Sequence, residues 1–129
     1  MLRQVFVPLL IAVSLVTGAR LSAHHSFVAT YLEAEKGTIE GEVTRFLLRN
    51  PHSFLFVSVE DDMGEAQEWA VEWGSRTQMR GEGITIDILK RGDHVVVTGD
   101  PSRTPGEARL RMRLLERPSD GWSWGGDFD

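Results

Sequence analysis

The sequence contains no cysteine among its 129 residues. This absence excludes disulfide bonds, cysteine nucleophiles and thiolate metal sites, so a secreted domain of this size depends on its hydrophobic core. Internal repeats and low-complexity segments are also absent. The chain shows no Ser-His-Asp order, no glycine-rich phosphate loop and no paired-carboxylate motif. These absences favour a role other than catalysis.

Basic residues are fewer than acidic ones, at 14 against 19, and the formal net charge is −5. Removal of residues 1–23 takes Arg3 and Arg20 with it, which leaves 12 basic residues against 19 and a charge of −7. An acidic domain is repelled by phosphate backbones. We therefore expect no nucleic-acid partner.

The longest apolar run, Val5–Val16, is too short to span a bilayer with ease, since about 20 residues are needed. Arg3 precedes this run, and a small, polar stretch ends at Ala23, which is the three-part pattern of a secretory signal. We predict a signal peptide at residues 1–23 and a periplasmic or secreted bacterial protein that contacts the membrane only through this segment before cleavage. Cleavage after Ala19 and an uncleaved anchor are the alternatives.

Alternating apolar and polar residues after Lys36 predict five strands, at residues 38–46, 54–59, 68–73, 94–99 and 108–114. Gly41 is expected to form a bulge, and Ser75 and Thr85 are expected to cap short helical turns. This order predicts an all-β, small five-stranded OB-fold-like barrel over residues 24–117, with a short helical segment between strands 3 and 4. A small β-sandwich is the alternative.

Two segments flanking the predicted strands have no clear period. Before the first strand, Phe27, Val28 and Tyr31 are the residues able to hold the start of the mature chain on the domain. After the last strand, residues 118–129 are predicted to form an irregular tail. Its Trp122 and Trp124 could dock on a partner or fold back on the barrel.

Three of the four histidines suggest a metal site. Pro51 makes a rigid turn that places His52 at the barrel rim. Cleavage after Ala23 would give His24 a free amine beside its imidazole, and His25 follows it. This nitrogen-rich set suits Cu(II), and zinc bound by three imidazoles and Glu72 is the alternative. We therefore predict His24, His25 and His52 as ligands of a copper ion. The alternative is that His24 and His25 belong to a disordered end or to the cleavage signal and that His52 only caps its loop.

The remaining candidates are charged side chains on strands and loops. Glu72 lies either on a solvated strand face or on a ligand-binding face near Arg76, and we predict Glu72 and Arg76 as ligand-binding residues. Three alternating arginines, Arg109, Arg111 and Arg113, share one face of the fifth strand. Cross-strand pairing with acidic residues is expected for them. The expected partners are Glu40, Glu42 and Glu60, and an anion-binding stripe is the alternative.

Several short blocks occur together in a characteristic order: His24-His25-Ser26-Phe27, Gly41-Glu42-Val43, Asn50-Pro51-His52, Trp69-Ala70-Val71-Glu72 and Leu89 to Val95. Across residues 22–115 this combination resembles the DUF6152 family of small exported bacterial proteins. The resemblance implies export and an overall shape, and it implies no reaction. Leu21 at the −3 position and the ending Trp122 to Gly126 depart from the family's usual pattern.

These observations favour an exported periplasmic binding module of unknown ligand, with copper as the candidate ion and a protein or small molecule as the candidate partner. A structural or assembly protein acting through sheet edges and the C-terminal tail is the alternative. A copper-dependent oxidase is a further alternative, which ranks third.

We predict that the exported protein begins at His24, because Ala23 then occupies the −1 position of the cleavage site. Intact-mass measurement of the secreted chain checks this. A mass that corresponds to a chain beginning at Arg20 would remove the amine chelate.

Overall fold

The computed structural model describes residues 27–128, which form six strands and a short helix. The signal segment, His24 and His25 lie outside the described residues. Residues 27–30 form a helical turn, and a helix, Arg76–Gly81, and a 3-10 turn, Ile86–Ile88, lie between the third and fourth strands. The strands are β1 Gly37–Leu47, β2 Phe54–Glu60, β3 Ala66–Glu72, β4 His94–Pro101, β5 Arg109–Arg117 and β6 Trp122–Gly125.

The first five strands close into a barrel. Strands β1, β2 and β3 form an antiparallel meander, β1 also pairs with β4, and β4 pairs with β5. Closure comes from a short parallel pairing of β3 with β5, in which Ala70 faces Arg109 and Glu72 faces Arg111. The predicted OB-fold-like barrel, with its short helix between strands 3 and 4, is confirmed. No helix within residues 27–128 is long and apolar enough to cross a membrane.

Alternation along the strands places one set of side chains inside the barrel. Valine and leucine dominate this interior, and burying each such side chain contributes roughly 1.5–3 kcal/mol. Ser75 begins the helix with a capping box in which Gln78 bonds back to its backbone, so Met79 packs fully buried against the core. The fully buried strand residues include Val43, Leu55, Val57, Val71, Val95, Val97, Leu110 and Leu115.

Two glycines allow neighbouring strands to approach closely. A Cβ atom on Gly41 would collide with the backbone oxygen of Ser58 on β2, and one on Gly99 would collide with that of Arg111 on β5. The expected bulge at Gly41 is displaced, because the register shifts lie between Val43 and Arg45 and between Thr98 and Gly99. The role of Gly41 is therefore to let β1 and β2 approach each other closely.

The C-terminal tail, which we expected to be irregular, contains strand β6, paired with the second half of β5. Trp124 packs against Trp73 and Phe128, with ring centroids 5.1 Å away in each case, and its indole nitrogen donates to Glu82. The guanidinium of Arg117 lies 5.4 Å from the centre of the Trp122 ring. A four-residue strand is too short to show alternation in a sequence, and tertiary packing of its indoles stabilises it.

Replacing Gly41 with alanine should lower the free energy of unfolding by about 1–3 kcal/mol, because the new methyl group meets backbone that cannot move aside. Gly37→Ala is the matched control in the same strand, since its Cβ would meet only the side chain of Leu110 at 3.4 Å. Chemical denaturation of both variants measures the difference. Equal effects would contradict the close-approach argument.

Candidate functional site

The arginine face of β5 points away from the barrel core and is covered by both ends of the described chain. Residues 27–36, here called the N-terminal segment, pack on it, and residues 126–128, the C-terminal segment, add Asp127. Tyr31 is fully buried and forms a β-bridge with Ser102. The backbone amide of Leu32 donates to Pro101 at 2.9 Å. Of the residues expected to hold this segment, Tyr31 does so, and Phe27 contacts Tyr31, whereas Val28 is exposed.

The prediction that the β5 arginines pair with Glu40, Glu42 and Glu60 is wrong. The strand order explains this, because β1 pairs with β2 and β4, whereas β5 lies between β3 and β4 along the barrel. The observed ion pairs are Arg109 with Glu72, Arg111 with Glu33 and Asp127, and Arg113 with Asp100 and Asp127.

Glu72, the last residue of β3, lies at the centre of one of these clusters. Its side chain points outward, as alternation predicts, but the N-terminal segment covers it and only 7% of the residue is exposed. Its Oε2 atom accepts from Arg109 Nη2 at 2.7 Å and from the Tyr31 hydroxyl. Arg109 Nε also donates to the Tyr31 oxygen at 2.7 Å, which closes a three-residue network.

Burial and the adjacent Glu72 carboxylate raise the pKa of the Tyr31 hydroxyl far above its ordinary value. Burial opposes the charge of Arg109, but hydrogen bonds and charge interactions with Glu72 and Tyr31 outweigh it and raise the pKa of the guanidinium. Tyr31 therefore stays protonated and Arg109 stays charged, so both remain donors to Glu72.

His52 reaches the same carboxylate from the loop between β1 and β2. Its Nδ1 lies 3.3 Å from Glu72 Oε1, and its ring packs edge-on against Phe27 with centroids 5.2 Å apart. Ser53, fully buried, holds the loop in place through backbone bonds with Trp73 and Gly74. The two oxygens of Glu72 thus face different groups, Oε2 the Tyr31–Arg109 pair and Oε1 the imidazole.

The predicted site residues divide into three groups. His52 and Glu72 lie together, whereas Arg76 is exposed on the helix and lines a separate groove. His24 and His25 lie outside the described residues. The fourth histidine, His94, is exposed and forms a 2.8 Å pair with Glu40. Within residues 27–128, no three His, Cys, Asp or Glu side chains form a group able to hold a metal ion.

Sequence reasoning missed Tyr31 and Arg109 as members of the Glu72 cluster. Tyr31 lies in a segment without hydrophobic period, and its contact with β3 spans 41 residues. Arg109 is brought to Glu72 by the parallel closure of β3 with β5. The one available signal was the chain's single tyrosine, which lies two residues before Glu33 in the segment ahead of the first strand.

Residues 12–110 match the family model of DUF6152, which is described as a family of unknown function. The chain belongs to the DUF6152 family. No curated protein matches this DUF6152 chain.

Among solved structures, the DUF6152 chain is similar to the mitochondrial single-stranded DNA binding protein Rim1 of S. cerevisiae, with 15% identity and a TM-score of 0.42. The match covers 71% of this chain and 82% of that one, and it concerns the fold alone. The expectation of no nucleic-acid partner is withdrawn here: the similar structure is that of a single-stranded DNA binding protein, and that binding is a property of the yeast protein. Net charge is an average over the whole surface and does not fix the local field at a binding face.

We predict that the single tyrosine of the DUF6152 protein resists alkaline titration. The unfolded chain releases the tyrosine proton near the ordinary tyrosine pKa of 10.0, whereas the folded chain retains it. The contribution of Tyr31 to stability is therefore fully present below about pH 10 and is lost as the pH rises above that value. Tyrosinate absorbance followed against pH, together with circular dichroism, checks this. Ionisation near pH 10 without unfolding would contradict the buried network.

Proposed function

We propose that this DUF6152 protein is an exported periplasmic binding module that holds a divalent copper ion through His24, His25 and His52. The observation that carries the proposal is the orientation of His52, whose Nδ1 faces the Glu72 carboxylate at 3.3 Å while Phe27 packs against its ring. Binding, with no accompanying reaction, is the proposed activity.

The contact with Glu72 is of the kind that prepares a histidine for metal binding. Histidine ligands usually direct one ring nitrogen at a carboxylate or carbonyl, which fixes the tautomer and leaves the other nitrogen for the metal. With the proton on Nδ1, His52 presents the lone pair of Nε2. The side chain is 37% exposed, so part of the imidazole is open to solvent.

Glu72 acts in this proposal as an orienting group and does not ligate the ion. Its Oε2 atom already accepts from Tyr31 and Arg109, and Oε1 faces the imidazole. This occupancy favours the set of nitrogen donors over the zinc set that would include Glu72.

The other proposed donors lie close to Phe27 in the sequence. His25 precedes Phe27 by two residues and His24 by three, and each residue step spans at most about 3.8 Å. The Phe27 ring contacts His52, and the proposal assigns the amine and imidazole of His24 and the imidazole of His25 to the free side of the His52 ring. An N-terminal amine with two or three imidazoles suits Cu(II), which also binds most tightly among the first-row divalent ions.

His52→Ala should weaken copper binding by at least about a hundredfold, because it removes the one ligand held by the folded barrel; losing only an orienting partner costs about 10–100-fold. His94→Ala is the matched control, since it removes an exposed imidazole paired with Glu40 elsewhere on the barrel. Competition of the exported protein with a chromophoric Cu(II) chelator measures the affinity.

Glu72→Gln in the same titration should weaken binding by about 10–100-fold, with Glu68→Gln on the same strand as its control. Circular dichroism verifies that each variant is folded. Unchanged affinity in His52→Ala, or copper binding that requires only the peptide amine, would overturn the proposal.

A further inference from the structure

A second concave surface lies apart from Glu72 and His52. It is a groove of about 460 Å³ between the end of β1, the short helix and the 3-10 turn. Small-molecule sites typically occupy about 300–1,000 Å³, so the groove has the size of a ligand site. Its lining consists of Leu48, Arg76, Arg80, Ile84, Thr85 and Ile86.

The groove has an apolar surface with one hydrophobic side chain left in water. Ile84 is buried at 2% exposure and Leu48 is half-buried, and both belong to or pack on the core. Ile86 is 51% exposed, and only two other large hydrophobic residues of the described chain, Val28 and Met63, are exposed. Leu48 and Ile86 together give the groove an apolar wall that water reaches.

Two guanidinium groups flank this apolar surface. Arg76 and Arg80 are four residues apart on the helix, which places them on one face. In residues 27–128 neither forms an ion pair, unlike the β5 arginines and Lys36. Other surface cations of the described chain, such as Arg45 and Arg91, form no ion pair either, but they do not line the groove. Glu82, the acidic residue that follows the helix, is engaged by the indole of Trp124. The guanidinium groups of Arg76 and Arg80 can therefore pair with an anionic ligand in the groove.

We propose that this groove binds a small amphiphilic carboxylate, an acid with an apolar chain and one anionic head group. The apolar chain lies on Leu48, Ile84 and Ile86, and the carboxylate accepts charge-assisted hydrogen bonds from Arg76 and Arg80. The groove combines one apolar surface with one cationic edge, which is the complement of such a molecule. This site is independent of the copper proposal and assigns a ligand class to Arg76.

Isothermal titration of the copper-free exported protein with octanoate and with octanol tests the proposal. Octanoate should bind with a stoichiometry of one, and octanol, which lacks the charge, at least about tenfold more weakly. Arg76→Gln and Arg80→Gln should each weaken octanoate binding by about tenfold, and Ile86→Ser should weaken both ligands.

Arg91→Gln is the matched control, because Arg91 is an exposed arginine in the turn before β4 and does not line the groove. Both groove arginines are on the surface, so their replacement leaves the core intact, which circular dichroism verifies. Equal affinity for octanoate and octanol, loss of binding in Arg91→Gln alone, or binding to anionic vesicles without binding to octanoate would overturn the proposal.

Discussion

The arrangement of this molecule depends on neutralising three guanidinium groups that β5 presents on the outer face of the barrel. Asp100 is fully buried beside Arg113, with 2.7 Å between Oδ2 and Nη2, and Lys36 also contacts it. Removing one partner of a buried ion pair typically costs about 3–5 kcal/mol, because the remaining charge stays buried and uncompensated. The arginine face therefore draws on carboxylates from several elements. Asp100 comes from the adjacent strand β4 and Glu72 from β3, while Glu33 and Asp127 come from the two ends of the described chain.

The histidine site is a consequence of that requirement. Docking of the N-terminal segment buries Tyr31, and Tyr31 together with Arg109 fixes one oxygen of Glu72. The other oxygen then faces His52 in a defined direction. The guanidinium of Arg111 lies 3.9 Å from the centre of the Phe27 ring, so the same arginine row also anchors the residue that contacts the imidazole. The ion pairs on the outside of the barrel thus fix Glu72 and Phe27, the two residues that orient the proposed metal ligand His52.

The sequence predicted the elements that rest on local patterns. Alternation identified the five barrel strands, and Ser75 marked the start of the helix. The sequence did not reveal β6, because four residues hold too little pattern and its two tryptophans are ordered by contacts with Trp73, Phe128 and Arg117. The true partners of the arginines depend on barrel closure, which is a long-range event that alternation does not encode.

The candidate site was predictable to the same limited degree. Pro51 pointed to a fixed His52, and the outward direction of Glu72 followed from its strand position. The burial of Glu72 did not follow, because it depends on a segment without period that crosses the sheet. The metal role of His24, His25 and His52 stays a prediction, as does the ligand-binding role of Arg76. The exclusion of nucleic acid failed because it used total charge, which ignores how charges are distributed.

The pairing of β6 has a consequence for the behaviour of the barrel in a crowded solution. Strand β3 covers only the first part of one side of β5, and β6 covers the rest. Without β6, a row of backbone donors and acceptors would stand open to strand addition by another chain. β6 pairs with the last four residues of β5, so the edge that remains open there is a four-residue strand that ends in a glycine. Because β6 already pairs with this part of β5, another chain cannot add a strand there.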